Sequence, residues 1–245
     1  MVNNLLANWP APPSIQALTT TREKGHSLAP YDHNNLGLHV GDDPESVMAN
    51  REALIQTLSL PSEPFWLEQT HSTRCMVVEG HADRCADAAV TRQKNIPLAI
   101  MTADCLPIVI CDTQGQEIAA IHAGWRGLAE GIIDETLSQI KSPRETLMAW
   151  IGPAICGACY QVGPELKRAF SIAYPYTTSC FEHKEGHHYA NLPLMAERIL
   201  NAQGIDSVYQ SHACTFELKN QFYSYRRQAQ TGRMVTLIWI KDNPS

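Results

Sequence analysis

Three side chains in this sequence share a setting in which chemistry is often placed: His71 in QTHS, Cys105 in TADCLP and His122 in IHAGWRG. Each stands where an apolar, strand-like run begins or ends, and loops at strand ends are where rigid scaffolds display reactive groups. They lie 34 and then 17 residues apart, so only the fold can unite them. One thiolate and two imidazoles make a three-ligand zinc (Zn2+) site whose fourth tetrahedral position stays open for water or substrate; a closed structural site would need a fourth protein ligand. A second chemistry uses the same residues, with Cys105 as nucleophile and His122 as its base. Spacing alone separates neither from the plain alternative of histidines hydrogen-bonded at strand ends.

Other motifs carry less. Cys156-Gly157-Ala158-Cys159 has the CxxC form, but it lies between Gly152-Pro153 and Val162-Gly163. A redox CxxC opens a helix after a strand, and a structural zinc site wants a second pair with matching spacing. The two cysteines therefore read as loop or core residues. His183-Lys184-Glu185 supplies half of a zinc-deaminase signature, yet it follows the CxxC, and Ile155 stands where that signature has proline. His183, His187 and His188 lie in a charged, turn-rich stretch that reads as a solvated loop. The sequence contains no glycine-rich phosphate loop and no Gly-x-Ser-x-Gly elbow.

The elements that must position the triad follow from periodicity and punctuation. Apolar runs predict strands near residues 15–21, 64–68, 74–78, 97–102, 106–111, 117–121, 147–151, 207–210 and 234–240. Residues 106–111 and 117–121 are joined by Asp112-Thr113-Gln114-Gly115, a turn sequence. A long polar loop after Thr21 stops at a helix start, with Asp43 as N-cap and Pro44 at the first helical position. That helix runs to about Leu58, and further helices are predicted over 128–140, 164–173 and 192–203. Helices and strands mix without a βαβ rhythm, which points to an α+β fold, and residues 1–245 read as a single domain.

Composition bounds the function. The chain has 245 residues, 44% of them apolar, and a formal net charge of -6 with no basic run, so no nucleic-acid partner is expected. No apolar stretch approaches the roughly 20 residues that span a bilayer. The start, MVNNLLANWPAPP, lacks a basic, apolar leader pattern. A cytoplasmic location follows as an expectation, and there the eight cysteines would stay reduced.

TADCLP and HAGWRGL, together with QTHS at 69–72, ADA at 86–88, NNLGLHVGDDP at 34–44 and SYRRQAQTGRM at 224–234, resemble the YfiH family. Its members are also called laccase-domain proteins, multicopper polyphenol oxidases, purine nucleoside phosphorylases or peptidoglycan editing factors. The resemblance runs from about residue 19 to 239. It implies zinc ligands at His71, Cys105 and His122, and a layered sandwich of mixed β-sheets flanked by helices. Two stretches depart from the family pattern: Glu23-Lys24-Gly25-His26-Ser27 after the first strand, and Gln161 where the family carries a carboxylate.

Among the family's names, a multicopper oxidase needs about ten copper-binding histidines, mostly in His-x-His units. This chain has ten histidines and no His-x-His, so copper-dependent oxidation would have to come from copper held in the same triad. The purine nucleoside names fit an open zinc site better. They imply phosphorolysis of adenosine, inosine and methylthioadenosine to free base and ribose 1-phosphate, with adenosine deaminase activity alongside. On that reading Cys105 and His122 belong to the catalytic centre. Asp104 either carries a proton or orients a ligand imidazole. Arg126 is the first candidate for a phosphate clamp, with Arg51, Arg226 and Asn35 as further substrate contacts. The partners are then a nucleoside and phosphate. The competing reading is an amide hydrolase for a cell-wall precursor, working through water at zinc or through Cys105.

Overall fold

Strand Leu106–Asp112 is buried along its whole length, and its side chains divide by the two-residue period of a strand. Ile108 and Ile110 pack on one face, Val109 and Cys111 on the other. A strand covered on both faces reads as an unbroken apolar run, which is why LPIVIC shows no alternation. Strand Met234–Ile240 divides the same way: Ile238 and Ile240 face the gap between two sheets, while Val235, Leu237 and Trp239 face outward.

The computed structural model describes residues 3–79 and 83–242, and these strands set its layers. The larger sheet runs, in spatial order, Ser207–Gln210, Leu147–Ile151, Leu106–Asp112, Ile118–Ala123, Ala88–Thr91 and Cys75–Val77, with parallel outer pairs and antiparallel inner ones. The second sheet runs Asn4–Leu6, Ile15–Thr20, Met234–Ile240, Leu98–Thr102 and Phe65–Trp66. Helices Trp125–Glu130, Ile132–Gln139, Pro164–Ala173 and Leu192–Ala202 cover the outer face of the larger sheet through residues such as Leu128, Ile133, Phe170 and Ile199. Helix Pro44–Leu58 covers the outer face of the second sheet through Leu54. The fold is a mixed α+β sandwich, and no helix among the described residues is long and apolar enough to cross a membrane. The expected span of 1–245 for the domain includes residues 1–2, 80–82 and 243–245, which lie outside the described residues.

Helix Pro44–Leu58 starts as its sequence predicts: the Asp43 carboxylate accepts the Ser46 N–H at 3.0 Å, one of the donors a helix start leaves unpaired. Two expectations need correction. The helix expected over 128–140 is two helices, broken where Gly131 adopts φ 99° in the left-handed region. Residues 183–188 are no open loop: Phe181–Lys184 and His187–Ala190 pair as a hairpin turning at Glu185-Gly186, joined on its other edge by Gln161–Val162. The long loop after Thr21 is held by Asn50 of the first helix, whose side chain accepts from His26 N–H and donates to the carbonyls of His33 and Asn35.

Candidate metal centre

Antiparallel pairing sets Leu106 opposite Ala123 and Pro107 opposite His122. Cys105, just before one strand, and His122, near the end of the other, must therefore meet at the same sheet end. Ala88–Thr91 lies on the other side of Ile118–Ala123, with Ala88 opposite Ile121, and this register brings Asp87 beside His122. The Asp87 backbone carbonyl accepts the His122 N–H at 2.7 Å, and its carboxylate accepts from His122 Nδ1 at 2.8 Å. The same carboxylate accepts the backbone N–H groups of Thr70, His71 and Ser72 and the Ser72 hydroxyl, at 2.7–3.1 Å. QTHS is thereby folded over the strand ends. His71 Nε2 comes to 4.0 Å from Cys105 Sγ, and ligand atoms of His71, Cys105 and His122 all lie within 4.8 Å of one another.

The electrostatics follow from these contacts. Burial pushes the Cys105 thiol up, but hydrogen bonds to His122 and His71 and the charges on those rings outweigh it and bring it down to about 6. Burial pulls His122 down, yet its bonds to Asp87 and Cys105 win and raise it to about 9. Asp87 is held down to about 2: burial opposes this, and the donors from His122 and Ser72 overcome it. The Cys105 and His122 shifts both run in the direction that favours a Cys105 thiolate beside a His122 imidazolium in the metal-free protein. His71 and Asp104 both sit at positive φ, 61° and 92°, the kind of strained backbone that clusters at functional sites.

These residues open into a cavity of about 530 Å3, whose walls include His39, Gln69, Tyr160, Arg226 and Arg233; its size suits a small-molecule ligand. Arg226 reaches the wall while donating to the Gln161 carbonyl at 2.6 Å and lying over the Tyr160 ring. The other predicted contacts are placed elsewhere. Arg126 is exposed and stacks on Trp125, outside the cavity. Arg51 is buried, donating to the Leu36 carbonyl and lying 3.8 Å over the Trp66 ring. Asn35 is fully buried and ties Gly37, Asp42 and Arg233 together. Asp104 borders the cavity, but its carboxylate is occupied by Thr215 and Ser224 hydroxyls and the Arg226 N–H. The carboxylate that orients a triad imidazole is Asp87, not Asp104. Asp87 and Arg233 were the residues to find: ADA and TGRM mark them in the sequence, without spacing that says what they face.

The donor set fits a divalent metal. Ligand atoms around a tetrahedral zinc lie ~3.4–3.6 Å apart, so the His71–Cys105 pair, at 4.0 Å, needs to close by about half an ångström. With Nδ1 of His122 given to Asp87, Nε2 is left free to ligate, the arrangement that fixes a metal-binding tautomer. Gly124 leaves the required space: a Cβ there would meet His71 Cδ2 at 2.8 Å and Cys105 Sγ at 3.4 Å. A second cluster was not anticipated. Cys156 and Cys159 are joined by Cys214 and Glu217, with ligand atoms again within 4.8 Å of one another, so the missing partner for the CxxC is a single distant cysteine.

The fold and the triad together define a mixed-sheet α+β protein with a candidate open metal site at the floor of a pocket. The chain belongs to the family described as multi-copper polyphenol oxidoreductase laccase, which it matches over residues 16–241. It is 43% identical over 238 residues to a Haemophilus influenzae protein named purine nucleoside phosphorylase, covering 96% of this chain and 98% of the relative. The Escherichia coli K12 protein named purine nucleoside phosphorylase YfiH is 38% identical with the same coverage. A crystal structure of a Neisseria meningitidis protein superimposes with a TM-score of 0.93 at 41% identity, covering 98% of this chain and 100% of that one. The Bacillus licheniformis hypothetical protein YfiH gives 0.86 at 29%, covering 93% of each chain.

Proposed function

We propose that this chain is a zinc-dependent purine nucleoside phosphorylase, cleaving adenosine, inosine and methylthioadenosine with phosphate, and deaminating adenosine in the same site. The observation that carries this reading is a cavity lined by the Cys105 sulfur, the His71 and His122 rings and two guanidinium groups, Arg226 and Arg233. The names of the relatives supply the reaction. A metal held by His71, Cys105 and His122, zinc or copper in the same donors, would supply Lewis-acid polarisation of substrate oxygens and acidification of water. The chain's own groups do the rest. Arg233 and Arg226 hold phosphate by fork-shaped, charge-assisted hydrogen bonds against the ribose carbon that bears the base. Burial and the neighbouring cations Arg233 and Arg51 pull His39 down, and burial pushes Tyr160 up to about 12. Both are therefore neutral hydrogen-bonding groups, suited to a purine edge. The substrate partners are small molecules, and the location proposed is cytoplasmic.

One observation favours a second reading. Cys105, His122 and Asp87 are arranged as nucleophile, base and orienting carboxylate, which suits an amide hydrolase acting on a cell-wall precursor. The product profile of metal-defined protein decides between them. Adenosine should yield adenine and ribose 1-phosphate only when phosphate is present. Cleavage of the precursor, with no phosphate-dependent release of adenine, would favour the hydrolase.

A further inference from the structure

The CxxC and the turn after Cys214 are held together by more than proximity. Ala154 N–H donates to the Ala213 carbonyl and Thr215 N–H to the Ala154 carbonyl, at 3.2 and 3.1 Å, a one-bridge β contact that lays the two segments side by side. Cys159 N–H closes a tight turn on the Cys156 carbonyl at 3.1 Å. Leu218 N–H closes a helical turn on the Cys214 carbonyl at 3.0 Å, and the three-residue offset puts Cys214 and Glu217 on one side of it. All four side chains converge within 4.8 Å.

We propose that Cys156, Cys159, Cys214 and Glu217 form a second, structural site for a thiophilic divalent cation of the zinc class. Three sulfurs and one carboxylate complete a tetrahedron, the closed coordination of a structural site rather than the open one of a catalytic site. Sulfurs around zinc lie ~3.8 Å apart, within the 4.8 Å that encloses all four ligand atoms. The Cys156 N–H points at Cys214 Sγ at 3.4 Å, a contact that favours the thiolate. Burial and the neighbouring sulfurs push Cys156 and Cys159 up. A disulfide would use two of the sulfurs and leave the third sulfur and Glu217 without a role.

The placement gives the cation a task. Both segments are bonded to Asp104, the neighbour of Cys105: Ile155 N–H donates to its carbonyl at 3.0 Å and the Thr215 hydroxyl to its carboxylate at 2.6 Å. Tyr160, next to Cys159, lines the pocket. A cation here clips the back of the pocket wall that carries Cys105.

The test is zinc binding to full-length protein, stripped and reloaded under reductant and read by native mass spectrometry. Wild type should take one zinc more than either single-site variant. Cys105→Ala should keep one zinc, and Cys105→Ala combined with Cys159→Ser should keep none. Cobalt(II) added to Cys105→Ala should show a thiolate-to-cobalt charge-transfer band that the combined variant lacks. Cys159 is only half-buried, and Glu217→Gln, at an exposed position, gives an independent variant that should weaken binding at least tenfold. Zinc-free Cys105→Ala, or a disulfide within the cluster that persists under reductant, would overturn the proposal. Wild type holding a single zinc that Cys159→Ser removes and Cys105→Ala does not would support this site and refute the triad.

Discussion

Asp87→Asn removes the charge that organises the triad and leaves its shape. The carboxylate accepts five hydrogen bonds: Oδ1 serves His122 Nδ1 and His71 N–H, and Oδ2 serves Thr70 N–H, Ser72 N–H and the Ser72 hydroxyl. An amide keeps only one accepting atom. If its NH2 faces Oδ1's partners, His122 must accept at Nδ1, carry its proton on Nε2 and cease to be a ligand. If it faces the other side, two backbone N–H groups lose their acceptor. At ~1.5–3 kcal/mol for each hydrogen bond to a charged group, two losses cost about 3–6 kcal/mol. A domain of this size shifts by ~2–4 °C per kcal/mol, so melting should fall by ~6–24 °C, and zinc affinity should fall ~10–100-fold, the usual cost of losing an outer partner of a ligand histidine. Acid unfolding of the metal-free protein gives a second readout. The folded carboxyl is held to about 2 against an ordinary 3.8. Its stabilisation, about 2 kcal/mol at ~1.4 kcal/mol per tenfold, is therefore complete above about pH 4 and is lost as pH falls toward 2; the Asn variant should lack that component. Competition titration with a chromophoric chelator and thermal melts measure the rest. An Asn variant that binds zinc within threefold of wild type and melts within ~2 °C of it would refute the role given to Asp87.

Arg233→Ala should raise the KM for phosphate at least ~tenfold, the worth of one charge-assisted contact, with zinc content unchanged; an unaltered KM would move the phosphate site off that wall. Gly124→Ala should keep the fold by circular dichroism but lose zinc affinity at least ~tenfold, because the new methyl group displaces the His71 ring. Unchanged affinity would show that the ring approaches the metal from elsewhere. Arg126→Ala should keep kcat/KM within twofold, since its guanidinium stacks on Trp125 and does not line the cavity; a large loss would return Arg126 to the site.

What the sequence discloses is local. Cys105 and His122 could be matched because a short turn forces their strands into an antiparallel pair, which makes the start of one neighbour the end of the other. Asp43 and Pro44 marked a helix start because capping acts within one turn. Asp87 was hidden because its partners are backbone N–H groups of a loop that carries no pattern of its own. Cys214 was hidden because it reaches the CxxC across a single bridge far along the chain. Arg126 falls in a helix that begins at Trp125, earlier than apolar periodicity suggests, and there it is exposed and stacked on Trp125. Arg233 enters the cavity on a segment anchored by Asn35, a buried side chain that sequence reasoning had assigned to the substrate.

Chelation followed by zinc restoration, with adenine and ribose 1-phosphate followed at each stage in phosphate buffer under reductant, tests the role of Cys105 most directly. As a metal ligand, Cys105 predicts that turnover disappears on stripping and returns as zinc refills the site, and that Cys105→Ser loses metal and activity together. Stripped protein that still releases adenine and ribose 1-phosphate at the native rate would contradict it.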